Sequence, residues 1–225
     1  MLNLSRRKSH EFPEPLIAGE RSEAIIKLND IAHCFPIGHR IRVAISTAYW
    51  PVVWPAPEPV VLGVYAGASA LELPARPPHG ADAELLPFAA PEEGPGEPVK
   101  VRLSSTLLRE IERDASSGDL VYRVFNAGGE FEGASLTHLE EIDLTVGFSV
   151  NQSYRIGVSD PPSARAAISA HAMLKRQSWT PELHGVVELR ATKDSFIVTA
   201  RLTASEGDQE IIARSWEERI PRDLI

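Results

Sequence analysis

Cysteine is all but absent from this sequence: Cys34 is the only one in 225 residues. No internal disulfide can form, which points to a reducing compartment. Long apolar runs are missing as well; none approaches the roughly 20 residues that a membrane-crossing helix needs. Basic residues are the minority, 23 Lys and Arg against 31 Asp and Glu, for a net charge of −8. That balance argues against a nucleic-acid partner, whose backbone calls for concentrated Lys and Arg. The start shows no basic n-region followed by an apolar h-region, so no signal peptide is expected and the location expected is cytoplasmic.

Motifs that carry chemistry are absent too. A serine hydrolase raises its nucleophile on a Gly-x-Ser-x-Gly turn. Ser69 and Ser135 each follow a glycine by two, but Leu71 and Thr137 stand where the second glycine belongs. There is no His-Glu-x-x-His, Cys-x-x-Cys, phosphate loop or dinucleotide fingerprint. His33-Cys34-x4-His39, with Asp30 nearby, reads as a turn whose polar side chains bond the backbone, since zinc needs converging ligands with outer-shell support. Glu140-Glu141 and Glu217-Glu218 read as solvated faces. No catalytic residue, metal or cofactor is therefore expected, and the chain by itself is not expected to be an enzyme.

What is present is β patterning. Ala24, Ile26 and Leu28 fall on one face of an extended segment, and Ile41, Val43 and Ile45 on one face of another. This two-residue period predicts a pair of half-buried strands. Between them, Phe35-Pro36-Ile37-Gly38 supplies a fixed φ and then a free one, which makes a tight turn. After Ser46-Thr47 come two Trp and four Pro within Trp50–Pro59. Proline lacks the donor that helix and central strand both need, so this is a stiff loop. Tyr49, Trp50 and Trp54 are its contact candidates, for a partner domain or for a sugar. The plain alternative is that the two Trp cover one end of the protein's own core.

Pro59–Tyr65 predicts a further strand, and Leu2–Leu4 the tail of another. Arg6-Arg7-Lys8 reads as a solvated strand end. Residues 76–98 form a Pro/Gly-rich linker, within which Leu85-Leu86-Pro87-Phe88 is expected to anchor on a neighbouring surface. Beyond it, Leu107–Asp114 and Leu120–Asn126 predict a hairpin around Ala115–Asp119. Strand patterns recur at 138–149, 152–158, 184–191, 195–204 and 210–218. Residues 164–179 are open between helix and strand, Asp160-Pro161 being a fair helix start. Trp179 and Trp216 are expected in the core, and Arg219, Arg222 and Asp223 in terminal ion pairs. The fold class is all-β.

Leu28-x-Asp30-x-Ala32-x-x-Phe35-x-x-Gly38-His39-Arg40-Ile41-Arg42-x-x-Ile45-Ser46 resembles the C-terminal β-domain of the X-Pro dipeptidyl-peptidase and cocaine-esterase family of serine hydrolases. The Tyr49–Pro59 run, the His10–Pro15 segment and the chain's last residues are similar to that family as well. The resemblance implies a partial jelly-roll of galactose-binding type over residues 1–75, followed by a second antiparallel β domain over 99–225. It gives Asp30, Phe35, Gly38, His39 and Arg40 a structural role, and favours a strand at 164–179. It implies that the α/β-hydrolase domain with the triad lies N-terminal to this segment, outside this chain. The chain then begins inside a sheet, with an open edge near Leu2–Leu4. The expected function is non-catalytic: packing on the hydrolase domain, shaping its pocket and making homodimer contacts. The alternative is a stand-alone carbohydrate-binding β-sandwich module using Trp50 and Trp54.

Overall fold

From residue 99 onward, apolar and polar side chains alternate strand after strand, and the chain responds with one antiparallel sheet. The computed structural model describes residues 2–96 and 98–224. Its strands are β1 (Val99–Val101), β2 (Thr106–Arg113), β3 (Leu120–Ala127), β4 (Leu136–Leu139), β5 (Leu144–Gly157), β6 (Asp160–Lys175), β7 (Pro181–Ala191), β8 (Ser195–Glu206) and β9 (Gln209–Pro221). All nine join in a single sheet, and no α-helix occurs among the described residues. The protein is all-β. β5 to β9 form a meander, while the far edge of β5 is shared by β4 and β3, with β2 outside β3.

The expected hairpin of residues 107–126 is present, running from Leu107↔Asn126 to Arg113↔Leu120. Asp114 organises its loop. Its carboxylate accepts from the Ser116 and Ser117 amides at 2.9 and 3.2 Å, and Gly118 takes the left-handed conformation that closes the turn (φ 77°). Arg155 of β5 reaches across to Asp114 and Asp119 at 3.0 and 3.3 Å.

Residues 160–175 settle as strand. Pro161 and Pro162 fall in a bulge between the pairs Gly157↔Asp160 and Arg155↔Arg165, where no ladder donor is required.

Residues 24–28, 41–45 and 59–65 differ from expectation. They run extended but form no ladder. The turn between the first two does form: the His39 amide donates to Pro36 O at 3.1 Å, with Gly38 at φ 88°, the type II arrangement. An isolated pair of strands is marginal in water without a third strand or a covering layer. Here neither is present among the described residues, and Ile26, Leu28, Ile41, Val43 and Ile45 stay exposed.

Three further expectations are corrected. Leu2–Leu4 is not a strand tail; Leu4–Arg6 form a 3-10 turn capped by the Asn3 side chain. Arg7 is not a solvated strand end, because its guanidinium folds back on the carbonyls of Leu4 and Glu14 at 3.1 Å each. Leu85, Leu86 and Phe88 are not anchored among the described residues; Phe88 is 104% exposed. The only regular element beside them is the 3-10 turn Gly80–Glu84, too short to press them onto a surface.

Candidate functional site

Strand register sorts the long strands into two unlike faces. One row across β5–β9 reads Phe148, Ala172, Leu183, Ala204, Ile212, and the next but one on that face reads Gln152, Ile168, Val187, Ala200, Trp216. The opposite face has the row Ser149, His171, His184, Thr203, Ala213. This is the division of an antiparallel sheet with one side built for a core and one for water. The apolar side is largely uncovered: Phe148 is 59% and Trp216 45% exposed. Trp216 and Trp179, expected in the core, are therefore both half-exposed, since no second layer reaches them among the described residues.

The aromatic loop covers one end of the apolar face. Trp54 packs edge-on to Phe196 at 5.7 Å, Trp50 edge-on to Tyr154 at 6.1 Å, and the two indoles against each other at 4.9 Å. The Trp50–Pro51 peptide is cis. Both Trp are half-buried, and both indole nitrogens are buried without an acceptor. Tyr49 points away and is 61% exposed. Phe35, Gly38, His39 and Arg40 belong to or flank the 36–39 turn, Asp30 precedes it in the chain, and all five are exposed.

Arg222 holds the loop in place, a role that the reading of terminal ion pairs overlooked. It is 3% exposed, donates to Pro55 O at 2.6 Å and Thr192 O at 3.2 Å, and lies over the Phe196 ring at 4.8 Å. Desolvation lowers its pKa. At the surface nearby, Lys193 pairs with Glu58 at 2.5 Å. That contact holds the Glu58 carboxyl below its usual range and the Lys193 ammonium above its own.

On the polar face, His171 of β6 sits opposite His184 of β7, their rings stacked with centroids 3.7 Å apart. Glu182 lies two residues before His184 and so on the same side. Its Oε2 is 3.3 Å from His171 Nε2 and 3.7 Å from His184 Nε2. Glu132, on the loop between β3 and β4, is 3.1 Å from His171 Nδ1. By contrast, His33 packs its ring edge-on to Phe35 at 4.9 Å, and Cys34 is exposed.

The two serines weighed as nucleophiles serve local structure. Ser69 Oγ donates to Tyr65 O at 3.0 Å, while Ser135 Oγ donates to Ser105 Oγ at 3.1 Å and accepts from the Ser105 amide at 2.8 Å.

With this geometry in hand, comparison with known families is informative. Residues 1–81 match the X-Pro dipeptidyl-peptidase C-terminal non-catalytic domain. The match covers 81 of the 225 residues and is to a domain described as non-catalytic. No curated protein and no solved structure matches the chain. The non-catalytic-domain segment holds the 36–39 turn and the whole Trp50–Pro59 loop; the nine-stranded sheet lies outside it, from Val99 on. Arg222 and Phe196 are where the loop of the matched segment meets the sheet.

Proposed function

We propose that the chain is the non-catalytic C-terminal region of a serine hydrolase of the X-Pro dipeptidyl-peptidase and cocaine-esterase kind, acting by packing on an α/β-hydrolase domain and shaping its pocket. The observation that carries this is the match of residues 1–81 to a non-catalytic peptidase domain, in a chain that leaves extensive apolar surface uncovered. Ile25, Ile31, Ile37 and Val61 in the matched segment, and Phe148 and Trp216 on the sheet, are all exposed. Apolar surface on this scale marks an interaction site. The partner supplies the nucleophile, base and acid. In this reading residues 1–75 are part of a jelly-roll that completes its sheet in the assembly, and residues 99–225 are a second β unit. The assembly works in the cytoplasm and pairs as a homodimer.

A carbohydrate-binding role for Trp50 and Trp54 gains less support. Both rings are engaged with Phe196, Tyr154 and each other, which leaves Tyr49 as the free aromatic of the loop.

Size-exclusion chromatography of the chain mixed with a separately expressed hydrolase domain tests the proposal. Co-elution at a defined stoichiometry is expected. Separate elution, together with glycan-dependent quenching of tryptophan fluorescence, would replace it with the carbohydrate-binding reading.

A further inference from the structure

We propose that His171, Glu182 and His184 form a binding site for a divalent transition-metal ion of the zinc class on the polar face of the sheet. The ligand atoms are gathered, all within 4.8 Å of one another, and the stacked rings would tilt to aim their nitrogens at one ion. Donors about 2.0–2.1 Å from a tetrahedral zinc ion stand roughly 3.4 Å apart. The Glu182 Oε2 separations of 3.3 and 3.7 Å from the two Nε2 atoms bracket that spacing.

Register produces this convergence. His171 and His184 are a cross-strand pair, so their Cβ atoms are held about 5 Å apart on one face. Glu182 follows the strand's two-residue period onto the same face. β6 and β7 are long strands, each paired on both sides, so the three residues are set on rigid scaffold.

A fourth residue stands within reach as an outer-shell partner. A metal-bound imidazole generally donates its other ring N–H to a carboxylate, which fixes the tautomer and aims the free nitrogen. His171 Nδ1 is buried and makes no hydrogen bond among the described residues; Glu132 Oε1, 3.1 Å away, is the carboxylate that a small turn of the ring would bring into line with it. Phe131 covers His171 with ring centroids 4.5 Å apart, leaving its side chain only 12% exposed.

The donor set chooses the metal. Two imidazoles with one carboxylate suit zinc and its borderline neighbours, whereas calcium and magnesium take oxygen ligands. Three protein ligands leave a fourth position open to water from the cavity lined by Asn151, Ser169 and Gly185.

Isothermal titration of tag-free chain with zinc chloride in a non-coordinating buffer tests the site, with magnesium chloride as the contrasting ion. One zinc per chain is expected, with a rise in Tm and no response to magnesium. Glu182→Gln and His184→Asn are expected to abolish binding, and Glu132→Gln to weaken it about 10–100-fold. His184 is half-exposed, so its variant keeps the fold, which circular dichroism checks. Cys34→Ser is expected to leave binding unchanged. X-ray absorption of the zinc-loaded chain should show nitrogen and oxygen ligands and no sulfur. Absence of zinc binding, binding that survives His184→Asn, or loss of binding in Cys34→Ser would overturn the proposal.

Discussion

Arg222 donates to the carbonyl of Pro55 at 2.6 Å, joining the last residues of the chain to a loop 167 positions earlier. The same guanidinium reaches Thr192 O and stacks over Phe196, the ring that receives Trp54. One side chain thus fixes the aromatic loop to the open end of the sheet.

Removing that side chain should loosen the loop. Arg222→Ala strands two carbonyls that face a charged donor, a loss of about 1.5–3 kcal/mol. Lys193→Ala breaks the Glu58 pair next to it, but that pair is solvent-exposed and screened, so its loss should matter far less than that of Arg222. Urea denaturation of both variants checks the ranking. Equal effects would mean that burial of Arg222 is not what matters.

Trp54→Ala should cost more than Trp54→Phe. The indole nitrogen has no acceptor, so Phe keeps most of the edge contact with Phe196 and loses no hydrogen bond. Hydrogen exchange should show faster exchange in β8 near Phe196 in the Ala variant and little change in the Phe variant.

Acid should weaken the β2–β3 hairpin through Asp114. Hydrogen bonds from Ser116 and Ser117, and from Arg155, hold its carboxyl well below the usual carboxylate range. A carboxylate depressed in the folded state stabilises it fully above the unfolded value of about 3.9. That contribution fades as pH falls from there towards the folded value. Asp114→Asn should be less stable than the parent at neutral pH and equal to it in strong acid. Parallel stability curves down to acid would contradict this.

A homodimer, as proposed, would have a candidate edge in β9, which among the described residues pairs with β8 alone and is exposed along its length. Its charges, among them Glu210, Arg214, Glu217 and Glu218, are the sort that restrain indiscriminate strand pairing. The proposed dimer adds β9 to its two-fold copy. Sedimentation velocity should show a dimer, and β9 amides should become more protected as concentration rises. A monomer at all concentrations would contradict it.

Much of the sheet was readable from sequence because alternation and turn chemistry agree there. The 107–126 hairpin has both, as do β7, β8 and β9. Residues 164–179 are ambiguous in the sequence because Ala is at home in a helix and Asp160-Pro161 imitates a cap; the strand ends at Lys175, and 176–179 form the turn into β7. Pairing on both sides by β5 and β7 decides for strand. The same alternation misled at 24–45, since a period says which face is apolar but not whether anything is there to cover it. The hold of Arg222 on the loop is hidden because it acts on the carbonyls of Pro55 and Thr192, which a sequence does not advertise. Glu182 and His184 carried a signal, a two-residue spacing on a strand, but His171 joins them only once the β6–β7 register is known.

The most direct test of the account is hydrolysis of an Xaa-Pro-anilide and a simple ester by this chain, alone and mixed with a separately expressed hydrolase domain. The account predicts no turnover by the chain alone, and in the mixture a kcat/KM higher than that of the hydrolase domain by itself. Turnover by the chain alone, abolished by Ser69→Ala or Ser135→Ala, would contradict it.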